Sequence, residues 1–268
     1  MAKTVKAEYI KDFEKSEKLG IVSTIDESGD PHITLLTTLM AADEKTMVVG
    51  QFTQGISKKN MLERSKSGFA IVSLDMKFWT GLVDWKFVKT EGEEYVRYNN
   101  MQMWRFNTYF GIDRVYYGDL VEISDKKPLN LLGIGLNAVK VILKKGSLKT
   151  NKNEMIMRPY AEKLFNALGN PKFLSFISKD GYPTVVPVVQ AQAAGSDRIV
   201  FTAKPYAEML EGLEKGARIA VMAVSMEMES VLVKGVFGGF EKGLGYLDID
   251  RVYNSMPPVC RYIYPYED

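Results

Sequence analysis

The feature that most constrains this chain is that it resembles itself. Residues 21–31, IVSTIDESGDP, match residues 173–183, FLSFISKDGYP, and the shared glycines (29, 181) and prolines (31, 183) are both 152 apart. That offset, or one residue less, also aligns TMVVGQF with RIVFTAK, LER (62–64) with LEK (213–215), and FAIVSLDM with VMAVSMEM. Later, GIDRVYYGDLVEI (111–123) matches DIDRVYNSMPPVCRYIY (248–264) after a change of offset, so the first copy is expected to be longer between about Trp79 and Phe110. A repeat of this length means two copies of one folding unit, each with its own core. The expected division is 1–124 for the first copy, 125–150 for a helical connector and 151–268 for the second copy.

Each copy opens on a predicted helix, about 4–18 with Val5, Tyr9, Ile10 and Phe13 near helical spacing, and about 154–168 ending before Gly169. Two β-rich runs follow, joined by DESGD in one copy and SKDGY in the other, turn sequences of hairpin type. A third strand leads into a short helix, and two more strands complete the unit. Several short strands with a single crossing helix point to a small antiparallel barrel, so the fold class is mainly β (α+β).

The most informative local stretch is GQFTQGISKKNML, Gly50 to Leu62. Ser57 reads as an N-cap, with Lys58 and Lys59 in the first turn, where the helix dipole favours acidic residues. Two ammonium groups beside free N–H groups make a phosphate seat; the plain alternative is a solvated surface helix. The second copy has YAEMLEGL instead, with Glu208 and Glu211 where a phosphate would be repelled. One competent site, in the first copy, is expected.

The order helix, hairpin, strand, Ser-Lys helix start and closing strands resembles the pyridoxamine 5′-phosphate oxidase-like, FMN-binding split β-barrel family, here in tandem. GDPHITLLTTLM and TMVVGQFTQGISKKNML carry the resemblance. It implies two tandem split antiparallel β-barrels and FMN as cofactor. By the same resemblance Leu36, Thr37 and Thr38 would line the flavin ring. Gln51, Phe52 and Thr53 would border the ribityl chain, and Ser57, Lys58, Lys59 and Asn60 would take the phosphate. The arginine-rich strand of the true oxidases is absent from HITLLTT, which points away from pyridoxamine phosphate as substrate and toward the broader flavoprotein group. The resemblance also implies a homodimer, or a pseudo-dimer within one chain, and a small-molecule or protein electron donor and acceptor. A flavin carrier without turnover, and relatives using deazaflavin F420 or haem, stay open.

Other features exclude more than they suggest. One histidine, His32, rules out a multi-histidine metal centre, and it reads as structural. One cysteine, Cys260, rules out an intramolecular disulfide framework, suits a reducing compartment and reads as a small apolar residue. No Ser/His/Asp set is arguable, so catalytic residues are unassigned. The N-terminal stretch is charged throughout, without the apolar core of a secretory signal, and the chain is expected to be cytoplasmic. A net charge of +2 gives no bulk reason to expect nucleic acid or a membrane. GIGLNA (133–138) fits a G-x-G-x-x-A fingerprint but lacks the flanking strands, so its glycines read as helix-packing positions. Trp79, Trp85, Trp104, Phe106, Tyr109 and Phe110 could wall a flat ligand or fill a core. Met101, Met103 and Trp104 read as packing against the other copy.

Overall fold

The structure is a computed structural model that describes residues 1–101, 111–150, 154–225, 227, 229–255 and 260–265. Two compact units emerge: Met1–Ser28 with Thr34–Leu129, and Gly29–Ile33 with Asn130–Asp268. The first repeat contains α1 (Ala7–Glu14), β1 (Lys18–Ile25), β2 (Pro31–Leu35), β3 (Leu39–Ala41), β4 (Thr46–Gln51) and α2 (Ile56–Glu63). It continues with β5 (Lys66–Ser73), β6 (Lys77–Lys89), α3 (Glu93–Asn100), β7 (Arg114–Ile123) and the short β8 (Lys127–Pro128). After α4 (Leu131–Lys144) come α5 (Pro159–Asn166), β9 (Lys172–Ile177), β10 (Pro183–Pro187), β11 (Gln192–Ala193) and β12 (Arg198–Phe201). The chain ends in β13 (Arg218–Val224), β14 (Ser230–Glu241), β15 (Leu244–Asn254) and β16 (Arg261–Tyr264).

The two sheets have one topology. Their strand orders, β2-β1-β5-β6-β7-β4-β3 and β10-β9-β13-β14-β15-β12-β11, are the same path written in the numbering of each copy. Every ladder in them with a resolved register is antiparallel, and each curls around its own apolar core: the fold is two tandem split antiparallel β-barrels. The backbone repeats bond for bond. Leu36 N–H donates to Gly20 O as Val188 N–H does to Lys172 O, Leu39 to Leu36 O as Ala191 to Val188 O, and Val5 to Glu44 O as Met157 to Ser196 O. Gly29 and Gly181 hold positive φ at the two hairpin turns (81° and 78°), a backbone conformation that glycine adopts without steric cost.

The registers correct one sequence alignment. Thr46 pairs with Asp119 and Arg198 with Asp248, so the closing strands correspond at an offset of 129. IDRVY therefore occupies the start of β7 in one copy and the end of β15 in the other, and the two motifs are not equivalent. Ladder register follows the inside-outside pattern of the whole strand, which outweighs five matching letters. The drop from 152 to 129 makes the first copy longer by 23 residues, all between β6 and β7, where the second copy needs only a tight turn. Both β-bulges recur, at Leu82/Val83 and Trp85/Phe87 and again at Lys234/Gly235 and Phe237/Gly239. Bulges bend and twist a strand, and these set the barrel's curvature at the same two points.

One packing position shows compensation between the copies. A Cβ on Gly118 would stand 2.6 Å from Val83 Cγ2, and one on Gly235 would stand 2.9 Å from Leu247 Cδ1. The same two positions thus read Val/Gly in one barrel and Gly/Leu in the other.

The opening helices are shorter than their periodicity suggests. In the first, Tyr9 and Phe13 are buried and stand edge-on to Trp79, which is fully buried in the first core with Trp85. In the second, Pro159 fixes the first helical position. Both helices are closed by a buried lysine: Lys18 Nζ donates to Lys15 O at 2.8 Å and Lys172 Nζ to Ala167 O at 2.7 Å. Ammonium groups at a helix C-terminus meet the negative end of the dipole. Burial pulls both lysines down to about 8.

Gly133 and Gly135 lie inside α4, and no parallel strand pair flanks them. The Asn130 side chain caps the helix by accepting from Gly133 N–H at 2.8 Å and folds over that glycine, while a Cβ on Gly135 would meet nothing within 4 Å. The glycines are therefore not sites of close helix packing. Met101 packs in the first unit against the cluster of Met40, Val48, Tyr98, Ile112, Val115 and Tyr117. Met103, Trp104, Phe106, Tyr109 and Phe110 lie outside the described residues. Among the described residues no helix is long and apolar enough to cross a membrane, and no group of three or more His, Cys, Asp or Glu could hold a metal ion.

Candidate functional site

The residues expected at a cofactor site fall on three pieces of the first unit: the segment after β2, the end of β4, and α2. The first two are tied together through backbone acceptors. Thr38 Oγ1 donates to Gly50 O at 2.7 Å, tying the 36–38 segment to β4. Tyr98 on α3 donates from its hydroxyl to Thr38 O at 2.5 Å and lies 3.2 Å from Val48 O. Tyr116 Oη donates to Gln51 Oε1 at 2.7 Å. Asn99 then fixes α3 to the segment leading into β7, accepting from Ile112 N–H at 2.9 Å and donating to Ile112 O at 3.2 Å. Burial raises the Tyr98 and Tyr116 phenols, so both remain neutral donors. Leu36 and Thr38 are buried, Thr37 is half-buried, Phe52 is half-buried and Thr53 is exposed.

Ser57 is not the N-cap. Gly55 occupies that position in an extended conformation without a side-chain cap bond, and Ser57 is the second helical residue. A residue inside the helix cannot be its N-cap, which takes an extended backbone and accepts from N–H groups two or three residues further on. Four residues of this eight-residue helix are buried: Ser57, Lys58, Asn60 and Met61. Asn60 Nδ2 donates to Thr24 Oγ1 of β1 at 2.9 Å. Lys59 is exposed, with Glu27 at 3.7 Å and Glu63 at 3.9 Å, pairs too solvated to hold it. No acidic residue lies in the first turn of α2.

The second repeat supplies an internal control. Its counterpart of Thr38 is Gln190, whose amide donates to Thr202 O at 2.9 Å, so the tie to the strand end is kept with another residue. The helix is not kept: only a 3-10 turn, Ala207–Leu210, stands in its place. At the offset of 152 that the flanking ladders share, which places LER one residue off LEK, Thr24, Ser57, Lys58 and Asn60 become Phe176, Met209, Leu210 and Gly212. Phe176 and Leu210 are buried. The barrel therefore does not require polar groups at these positions.

Sequence reasoning missed Thr24, Tyr98 and Tyr116. Thr24 was visible as a polar residue where the repeat carries phenylalanine. Tyr98 belongs to a Tyr95, Tyr98, Met101 spacing that marks an inward helix face. Tyr116 had no signal, because its partner Gln51 is distant in sequence. His32 is buried, its ring edge-on to Tyr253 at 4.8 Å, and Cys260 is half-buried.

No protein-family model matches the chain, and no curated protein matches it. Among solved structures, the chain is similar to HupZ of Group A Streptococcus, at 21% identity over 44% of this chain and 92% of that one, with a TM-score of 0.36. It is similar to an FMN-binding protein from Syntrophomonas wolfei subsp. wolfei, at 18% identity over 44% and 82%, with a TM-score of 0.37. It is also similar to an F420 reductase, at 13% identity over 45% and 98%, with a TM-score of 0.36. Each match covers about one repeat.

Proposed function

We propose that the first repeat holds FMN and that the chain is an FMN-dependent oxidoreductase, passing electrons from a reduced nicotinamide or a protein donor to an acceptor. The observation that carries this reading is the asymmetry at one place in two like folds. The first copy buries Thr24, Ser57, Lys58 and Asn60 where the second has Phe176, Met209, Leu210 and Gly212. The second copy closes the same barrel with Phe176 and Leu210 buried instead, so an anion site is a reason for the first copy to keep polar groups here.

The donor set fits a phosphate: a hydroxyl, two ammonium groups and the N-terminal N–H groups of α2, with no carboxylate in its first turn. Leu36, Thr37 and Thr38 would wall the ring, while Gln51, Phe52 and Thr53 would border the ribityl chain. When bound, the flavin supplies the electron-transfer chemistry. The protein's part is to bind, orient and exclude water, which agrees with the lack of any nucleophile motif. The single cysteine supports a reducing, cytoplasmic setting.

The experiment is a titration of the purified chain with FMN and with riboflavin, followed by anaerobic mixing with NADH and NADPH. FMN should bind about tenfold or more tightly than riboflavin, which lacks the phosphate. Lys58→Glu with Lys59→Glu should remove that preference and leave riboflavin affinity unchanged. Equal affinity for the two flavins would refute the phosphate assignment. Bound FMN that no donor reduces would make the chain a flavin carrier.

A further inference from the structure

The outer face of α4 is bare and apolar. Leu131, Leu132, Leu136, Val139, Ile142 and Leu143 are 58%, 85%, 75%, 56%, 42% and 79% exposed. Single exposed leucines are ordinary, but six on one 14-residue helix form a patch. At 3.6 residues per turn they span an arc of roughly 140°. The adjoining face is also apolar: Ile134, Ala138 and Val141 are buried, and Val141 packs in a cluster with Leu148, Ala194, Val200 and Leu244.

What lies beside the arc identifies its occupant. Lys140 and Lys144 follow Leu136 around the helix by about 40° and 80°. Lys242, from the β14–β15 turn, joins the same edge: Lys144 Nζ reaches Lys242 O at 3.3 Å, and Lys242 Nζ reaches Ser147 O at 3.3 Å. Glu241 is the acidic neighbour of that turn in sequence. From 126 to 153 the chain carries seven lysines and no aspartate or glutamate. With a net charge of +2 overall, the rest of the chain carries −5. Of these lysines, Lys140 and Lys144 lie on α4 itself, while Lys126 is paired with Asp12.

We infer that α4 docks the protein on an anionic lipid surface, its leucine face entering the headgroup boundary and its lysines meeting lipid phosphates. An apolar helix face edged by lysine is the form of an interfacial helix, and juxtaposed lysines add attraction to anionic leaflets. At 14 residues α4 is about 21 Å long, too short to span a bilayer core of about 30 Å. A second copy of the chain fits less well, because six side chains fall short of the roughly 20–30 residues per side of a stable interface.

The test is co-sedimentation of the full chain with phosphatidylcholine vesicles, with and without one third phosphatidylglycerol. Binding should appear with the anionic vesicles at low salt and fall as salt rises. Leu132→Asn with Leu136→Asn and Leu143→Asn should weaken it about tenfold or more, as should Lys140→Gln with Lys144→Gln. Leu132, Leu136, Leu143 and Lys144 are exposed and Lys140 is half-buried, and unchanged thermal unfolding of each variant establishes that the fold is intact. No binding to anionic vesicles at low salt overturns the inference. So does a concentration-dependent dimer that the leucine changes abolish, which would give the face to a second copy.

Discussion

Tyr98→Phe isolates one atom at the junction of the candidate site. The side chain is fully buried, and its hydroxyl serves Thr38 O at 2.5 Å with Val48 O at 3.2 Å. Val48 lies in β4 between β3 and β7 and keeps its ladder neighbours. Thr38 lies in the link between β2 and β3, so the loss falls mainly on its carbonyl. A buried acceptor left without a donor costs about 1–3 kcal/mol. Phenylalanine recovers part of this by needing no hydroxyl desolvation, so the expected net loss is about 1.5 kcal/mol. Urea unfolding of the two proteins measures it, fitted to the transition of the first unit, since a chain of two units need not unfold in one step. Tyr117→Phe is the control. Its hydroxyl donates to the half-buried Glu94 at 2.8 Å rather than to the 36–38 segment, so its loss should leave FMN affinity unchanged. FMN affinity should fall several-fold in Tyr98→Phe alone, because the 36–38 segment loses its anchor. A change in stability below about 0.3 kcal/mol would refute the bridging role of the hydroxyl.

Further outcomes follow from the buried charges and the tight glycines. Lys18 and Lys172 titrate near 8 when folded and near 10.5 when unfolded, so the unfolded chain binds more protons in between. Stability should rise from pH 8 toward pH 10, and Lys172→Met should flatten that rise in circular dichroism melts. Above about pH 10 the raised phenols of Tyr98 and Tyr117 reverse the trend, because their unfolded forms ionise first. Asp30, almost fully buried, accepts from Arg218 at 3.0 Å and Arg251 at 2.6 Å, so Asp30→Asn should destabilise the second unit by about 1–3 kcal/mol in thermal unfolding. That figure is reduced for the part-exposed arginines. Gly235→Val should cost more, because its Cβ would sit 1.9 Å from Asp248 O, whereas its counterpart Val83 is native. A soluble, normally melting Gly235→Val protein would contradict the difference in backbone spacing between the barrels.

The duplication, the antiparallel class and the helix at Ile56–Glu63 were legible because each leaves a local trace. Repeated turns place Gly29 and Gly181 at one offset, alternation marks strands, and GISKKNML carries helix chemistry. The lysines at the start of α2 were legible for the same reason, since position within a helix is a short-range property. The IDRVY match misled, because local letters carry no information on register, and register is decided by which neighbours a whole strand satisfies. Nor could the sequence tell that Gly55 rather than Ser57 is the N-cap, since helix boundaries shift by a residue or two without a strong local signal.

The unit, its copy number and the place of its lysine-bearing turn can be read from the residues in order. Burial of that turn's polar groups, the meeting of Asn60 with Thr24 and the bracing of Thr38 and Gln51 by Tyr98 and Tyr116 exist only in the folded barrel. It is likewise the fold that leaves one of the two apolar faces of α4 bare. The physical reason is range. Turn and helix preferences act over a few residues, whereas burial and hydrogen-bond pairing join residues 36, 60 and 65 positions apart, which are neighbours only once the barrel has closed.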